Sequence, residues 1–192
     1  MYAKRVNTKV PRENEPTGFD LMAGDWVSPF GAGKNTDLFL KVERHVVSDR
    51  EYDARLEISF PNEGDGIVAL PPVPDTGSEL LMPPTASAEA YAPTRVWRQA
   101  RTPSGPAAGP EPVLGYFFRT RTILTEKAEI KSALYGKIMG DIDFYVGTRA
   151  PKSGIGFTYY LNPTPNDRNV EFDPKQNLLP ASKRAEERVK RP

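Results

Sequence analysis

Hydrophobic and polar residues alternate with a period of two along much of the chain. Two such runs, 37–47 and 52–60, flank the turn-forming stretch Ser48-Asp49-Arg50-Glu51. Leu40 and Leu56 mark the apolar face of the two runs. Two alternating runs joined by a short polar turn predict a β-hairpin with one buried face and one wet face.

Further alternating runs predict strands over residues 67–70, 115–124, 131–146 and 154–161. The 131–146 run is the longest, and its two faces differ clearly. One face holds Leu134, Gly136, Ile138, Gly140, Ile142, Phe144 and Val146, and the other holds Tyr135, Lys137, Met139, Asp141, Asp143 and Tyr145. Two glycines on the apolar face indicate a β-bulge or a close approach of a neighbouring element.

Helical periodicity is confined to the C-terminal end of the chain. Seven or eight short strands joined by Gly, Pro and Asn turns predict an all-β fold, an antiparallel β-sandwich, with a jelly-roll-like arrangement or an open barrel as alternatives. We expect an extended N-terminal arm over residues 1–25, one domain over 26–180 and a charged tail over 181–192. Within the domain, residues 71–113 form a Pro-rich insertion.

The arm and the insertion carry the prolines that argue against regular structure. Half of the 20 prolines lie in residues 71–113, a composition that disfavours a central strand or a long helix. Trp97, beside Arg95 and Arg98, is either an interface anchor or the point where the insertion packs back on the core. The arm, residues 1–25, is locally basic and is expected to order on a partner.

Composition excludes several classes of protein. The 192 residues contain no Cys and one His, His45, so thiolate chemistry, disulfides and two-His metal sites within one chain are excluded. The formal net charge of +1 gives no overall reason to expect nucleic acid or a membrane surface. No apolar run reaches the ~18 residues of a membrane span, and no signal peptide is visible at the N-terminus.

Two motifs invite a catalytic or ligand-binding interpretation. The run 31–36, Gly-Ala-Gly-Lys-Asn-Thr, is similar in composition to a phosphate loop, but Ser28 and Asn35 occupy positions where that loop needs Gly and Ser or Thr. We therefore expect a glycine-rich turn.

Carboxylates cluster at 63–65, 141–143 and 167–173, and such groups can serve acid–base catalysis or hold calcium, which is the one cofactor left open.

Outward-facing aromatic residues form the first candidate binding surface. Tyr135, Tyr145 and Tyr160 alternate with the apolar face of the last two long strands. Aromatic rings with Asp and Asn nearby are typical of a sugar-binding sheet, unless this face is covered by the Pro-rich insertion or a second sheet. Arg119 and Arg121, beside aromatic residues, form a weaker candidate strip for nucleic acid, which the balanced charge makes unlikely.

The loop over residues 162–173 is the second candidate. It contains two prolines and several Asn and Asp residues, including Asn166 and Asp167, whose side chains bond to nearby backbone. Arg168 is expected to fork onto a carboxylate. Such a loop is a rigid structural corner or a binding loop, and we expect the structural corner.

These features favour a non-enzymatic binding or assembly module. It would dock onto a larger assembly, such as a virion or a surface structure, through its arm and its Pro-rich loop. A carbohydrate-binding module of an extracytoplasmic protein is the first alternative, and a glycan hydrolase or lyase with paired carboxylates is the second. The expected partner is a protein or a carbohydrate. A virion-associated or extracytoplasmic location is weakly favoured.

Overall fold

A computed structural model describes residues 1–72, 82–180 and 187–189. These residues form eleven strands and one short 3-10 turn, Pro174–Gln176, without an α-helix. The strands are β1 Tyr2–Lys9, β2 Thr17–Asp20, β3 Asp25–Trp26, β4 Leu38–Ser48, β5 Glu51–Ser59, β6 Gly66–Leu70, β7 Thr94–Thr102, β8 Gly105–Ala108, β9 Gly115–Leu124, β10 Ile130–Tyr145 and β11 Gly154–Asn162.

The strands form two antiparallel sheets that do not close into a barrel. Sheet A has the order β1-β11-β10-β9-β6, and sheet B has the order β3-β2-β4-β5-β7-β8. The all-β antiparallel β-sandwich predicted from the sequence is therefore confirmed. The main core lies between the two sheets, where the inward residues of each strand meet.

The predicted hairpin is formed by β4 and β5. Val42 faces Leu56 and Leu40 faces Ile58, and all four side chains are buried. His45 lies on the opposite face and is exposed, as the alternation predicts. Each strand thus puts one face into the core, because successive side chains point to opposite sides of the sheet.

The two glycines of β10 are needed for different structural reasons. At Gly140 the φ angle is +69°, and the register with β11 shifts between Met139 and Asp143, which identifies a β-bulge. Gly136 faces Phe118 on β9, and the ring of Phe118 occupies the space that a Cβ at Gly136 would need. Both alternatives predicted from these glycines, a bulge and a close approach, are therefore present at separate positions.

The expected N-terminal arm over residues 1–25 is wrong. Residues Tyr2–Lys9 form β1, which pairs with β11 along its whole length, and Thr17–Asp20 form β2 within sheet B. Val6 and Val10 are buried in the core between the sheets. Pro11 and Pro16 lie in the connection between the strands, where they interrupt no strand pairing.

The expectation of no sustained strand in residues 71–113 is also wrong. Nine residues of this stretch form β7, which contains no proline and pairs with β5 in sheet B. Residues 73–81 lie outside the described residues. The interface-anchor interpretation of Trp97 fails, because the side chain is buried and its ring contacts Tyr116 edge-on at 5.6 Å. The alternative, packing back on the core, is confirmed. Most of the charged tail, 181–192, lies outside the described residues.

Candidate functional site

The outer face of sheet A is largely covered at the end that holds two of the three candidate tyrosines. Tyr135 packs with Met82, Ala86 and Val170, and Tyr160 contacts the ring of Phe172 at 5.1 Å. Both tyrosines are buried. The covering segments come from the Pro-rich stretch and from the loop after β11. Tyr145, which is 51% exposed, is the member of the set that remains accessible.

Lys137 lies under the same cover, although the alternation places it on a wet face. Only 4% of it is exposed, and its Nζ lies 4.8 Å from the centre of the Tyr160 ring. Burial lowers the pKa of Lys137. The sequence gives no sign of this environment, since nothing in the local pattern reveals what covers a strand face.

The two arginines of β9 do not form a strip. The Nε of Arg119 donates to the Gly64 carbonyl at 2.5 Å, and its guanidinium lies over the ring of Tyr91. Arg121 instead binds Asp37, with Nε 2.6 Å from Oδ1 and Nη2 3.0 Å from Oδ2. Both side chains hold neighbouring parts of the sandwich together.

The glycine-rich run 31–36 folds around carboxylates of its own chain. The backbone N–H groups of Lys34 and Asn35 donate to Oδ2 of Asp20 at 2.9 and 3.0 Å. The N–H of Ala32 donates to Oδ2 of Asp25 at 2.9 Å. A phosphate loop would point such groups at its ligand, whereas here protein carboxylates occupy them. The run is a structural turn, consistent with the sequence-based expectation.

Asp20 makes folding sensitive to acid. Burial pushes the pKa of Asp20 upward, but hydrogen bonds from four backbone N–H groups outweigh burial and hold the pKa below its ordinary value. A lowered pKa stabilises the folded state above the unfolded value, near pH 4, and this stabilisation is lost as pH falls through the folded pKa. We expect Asp20→Asn to be less stable than wild type at pH 7 and to lose less stability between pH 7 and pH 3. Urea unfolding across that pH range measures both; parallel curves for the two proteins would contradict the expectation.

Hydrogen bonds join the loop over residues 162–173 to neighbouring segments. Asn166 donates from its N–H to the Ala133 carbonyl and accepts the Ala133 N–H on Oδ1, at 2.8 and 3.0 Å. Oδ2 of Asp167 accepts from Asn162 at 2.9 Å. The carbonyl of Arg168 accepts the N–H of Ala86 at 2.8 Å. Nη1 of Arg168 donates to the Ala86 carbonyl at 3.0 Å. The partner of Arg168 among the described residues is thus a carbonyl of the Pro-rich stretch and not the predicted carboxylate.

Arg168→Ala is expected to lower the melting temperature by about 2–4 °C. The change removes one partly buried hydrogen bond, worth about 1 kcal/mol, from the contact between the corner and residues 84–86. Arg149→Ala is the matched control, because Arg149 is exposed and its ion-pair partner among the described residues is Asp49. Thermal unfolding followed by circular dichroism compares the two variants, and equal melting temperatures would remove the structural role assigned to Arg168.

Two carboxylates of the predicted clusters, Asp141 and Asp65, accept hydrogen bonds from other strands. Oδ1 of Asp141 accepts from Nε1 of Trp97 at 2.9 Å and from the hydroxyl of Tyr116 at 2.6 Å. Asp65 accepts the N–H of Thr122 at 2.8 Å. Within residues 1–72, 82–180 and 187–189, no group of three or more acidic or His side chains is placed to hold a metal ion.

The feature that the sequence did not indicate is the free edge of β1. The side-chain amide of Asn177 bonds both main-chain groups of Ala3, while the N–H of Val10 donates to Ser153 next to β11. Main-chain groups alternate in direction along a strand of an antiparallel pair. The N–H and C=O groups of Arg5 and Asn7 therefore point away from β11, to the outside of sheet A.

No described residue pairs with these groups of Arg5 and Asn7. Among the described residues, the edge is open from the residue after the Asn177 contact to the end of β1. The edge strand β6 bonds with Ala92, and Val27, after β3, is bridged to Gly33. The edge strand β8 has four residues and contains Pro106, which cannot donate. Residues 43–48 of β4 and 94–99 of β7 also extend past the ends of their short neighbour strands, β2 and β8.

Two shallow grooves flank the open edge. The groove on the core side has a volume of about 330 Å³ and is lined by Phe19 and Trp26 together with Lys4, Asp25 and Glu187. The groove on the outer face has a volume of about 170 Å³ and includes Tyr145 and Asp143. Small-molecule sites typically have volumes of ~300–1,000 Å³. The core-side groove is at the bottom of that range, and the outer groove is below it. Their size fits single side chains better than a drug-sized ligand.

The open edge is basic on its outer face. Arg5 and Lys9 are exposed, and neither side chain forms an ion pair with a described residue. Lys4, on the core side, lies 3.4 Å from Glu187 and donates to the Gly24 carbonyl. The edge thus combines unpaired main-chain groups, two side-chain grooves and two unpaired cations.

Comparison of the chain with protein-family models, curated proteins and solved structures found no match. The described residues include no helix with the length and apolar character needed to cross a membrane. The class that the geometry of the described residues defines is a β-sandwich with an open sheet edge along β1.

Proposed function

We propose that this protein is a non-enzymatic binding module that takes up an extended segment of a partner protein along β1. The unpaired N–H and C=O groups of Arg5 and Asn7 carry this proposal. An extended peptide that adds to a sheet edge gains affinity from main-chain hydrogen bonds and specificity from pockets for alternate side chains. The two grooves beside β1 supply such pockets on both faces of the sheet.

The partner would dock on the edge strand β1, and not on a flexible N-terminal arm as the sequence suggested. Residues 1–25 do not reach out to a partner, because β1 is held by β11 and its beginning is fastened by Asn177. A preformed edge costs little conformational entropy when it binds, whereas a disordered arm must be ordered at that step. A partner would therefore bind to the exposed edge of β1, which is already folded, and not to a disordered arm.

Selection of random linear peptides displayed on phage tests the proposal. We expect the selected peptides to protect the amide protons of Arg5 and Asn7 from hydrogen exchange. Asn7→Pro removes one edge N–H at a position where proline is tolerated, and should abolish binding without unfolding the protein. Asn7→Ala is the matched control, because it keeps the N–H and should bind like wild type. Peptides that bind Asn7→Pro normally, or that protect other strands, would overturn the proposal.

A carbohydrate site at Tyr145 is the second candidate, favoured by one observation. The half-exposed Tyr145 ring lies beside Gly154 and Gly156, where the missing side chains leave its surroundings open, and Asp143 and Asn7 line the same groove. An aromatic face next to hydrogen-bonding side chains suits a sugar ring. A glycan array probed with wild type and Tyr145→Ala tests this candidate: binding lost in the variant supports it, and an array without binding rejects it.

A further inference from the structure

The open edge of β1 specifies the chemistry of the segment that fits it; this inference rests on the function proposed above. Opposite residues of paired strands put their side chains on the same face of a sheet. A segment on β1 therefore sets three side chains beside Arg5, Asn7 and Lys9 on the outer face. The two side chains between them lie beside Val6 and Thr8 on the core side. The open stretch thus offers five positions with fixed surroundings.

The two end positions face positive charge. Arg5 and Lys9 are four residues apart on the exposed face and have no ion-pair partner among the described residues. Asp143, on β10, lines the same outer groove as Arg5 but forms no ion pair with Arg5 or Lys9. Both cations are therefore left without a carboxylate partner among the described residues. Carboxylates at the first and fifth positions would therefore gain attraction.

The two inner positions face a small groove. Its lining includes Trp26 and Phe19, which are themselves buried, and the polar residues Thr8, Lys4, Asp25 and Glu187. A volume of about 330 Å³ shared between two positions suits small or β-branched side chains such as Val and Thr. The middle position, beside Asn7, is exposed to solvent and suits a polar residue.

A second copy of this chain is a poor occupant of the edge. Antiparallel pairing of two β1 strands about Asn7 would set Arg5 of each copy opposite Lys9 of the other. Like charges placed directly opposite on paired strands are destabilising. The charge of the edge thus favours a different, acidic segment.

We infer that the partner segment carries an acidic residue at each end of a five-residue window and a polar residue at its centre. Val or Thr occupies the two positions between. The pattern is the same in both directions, so it holds for antiparallel and for parallel addition. Glu-Val-Thr-Val-Glu is the simplest peptide with this pattern.

Titration of the full chain with two matched peptides, followed by NMR, tests the inference. Glu-Val-Thr-Val-Glu is expected to bind wild type about tenfold more tightly than Lys-Val-Thr-Val-Lys, because two rim charge pairs change from attraction to repulsion. The double variant Arg5→Glu/Lys9→Glu should reverse the preference by a similar factor. The amide signals of Arg5 and Asn7 should shift in both cases.

The outcomes separate this inference from the proposed function. A reversed preference in the double variant supports the acidic segment. Equal affinity of both peptides, or a preference unchanged by Arg5→Glu/Lys9→Glu, overturns it. If neither peptide binds while phage-selected peptides without acidic ends protect Arg5 and Asn7, the edge is the binding site and the acidic pattern is wrong. If no peptide of any kind protects these amides, the proposed function itself fails.

Discussion

Gly136→Ala is expected to destabilise the protein by about 3 kcal/mol or more. A Cβ at this position would overlap the ring of Phe118 and the carbonyl oxygen of Tyr160. The ring of Phe118 is fully buried, and the carbonyl belongs to β11, the neighbouring strand of sheet A. Neither group can move without disturbing the core, because interiors are close-packed. Urea unfolding measures the change in free energy.

Gly156→Ala is the matched control for Gly136→Ala. Gly156 lies on β11, and its added Cβ would meet Asp143 at 3.4 Å, which is ordinary contact. Since the backbone there is extended, the substitution should be neutral or should stabilise slightly by restricting the unfolded chain. Similar losses of stability in the two variants would show that strand glycines in general, and not the close approach of Phe118, are needed.

Arg44→Ala is expected to cost about 2–3 kcal/mol, because it removes one partner of a partly buried ion pair and a charged donor from four main-chain carbonyls, of which those of Val146 and Gly147 keep another donor. Nε of Arg44 lies 2.8 Å from Oε2 of Glu13. The guanidinium also donates to four main-chain carbonyls of the turn after β10. These are Val146 at 2.9 Å, Gly147 at 2.7 Å, Ala150 at 3.2 Å and Pro151 at 2.7 Å. One side chain of sheet B thereby holds the connection between two strands of sheet A.

Two further variants test the role of Arg44. Arg44→Lys keeps the charge but not the planar fork of donors, so it should recover only a small part of the stability. Arg98→Ala also removes an arginine of an ion pair, but this pair with Asp53 is exposed, and its loss should change the unfolding free energy little. If Arg44→Ala proves no more damaging than Arg98→Ala in urea unfolding, the turn does not depend on this arginine.

Much of the fold could be predicted because β-strand alternation is a local signal. The faces of β4 and β5, and the inward positions of β10 such as Ile138, follow directly from a period of two. The glycines of β10 also predicted a β-bulge or a close approach of a neighbouring element. The structure then assigns the bulge to Gly140 and the close approach to Gly136. The missed strands, among them β1, β2, β7 and β8, lie in segments whose proline and charge content outweighed a weaker alternation.

The candidate site could be predicted only in part. Tyr145 was placed on an accessible face and remains there, but Tyr135 and Tyr160 share its alternation and are buried. The difference arises from residues 82–91 and from the loop after β11, which cover one end of the face and leave the other open. Arg168 was assigned to the corner, but its carbonyl partner at Ala86 lies 82 residues away in the sequence. Such partners are set by the packing of distant segments.

The sequence by itself determined which residues alternate between core and solvent, and hence that the chain forms an antiparallel β-sandwich. The tertiary structure alone decided which strands lie at the edges of the sheets. β1 pairs with β11, from which it is separated by most of the chain, and its other side is left open beyond Ala3. Edge position is a property of strand order, which depends on non-local pairing and has no local pattern in the sequence. The proposed binding edge is therefore visible only once the sheets are assembled.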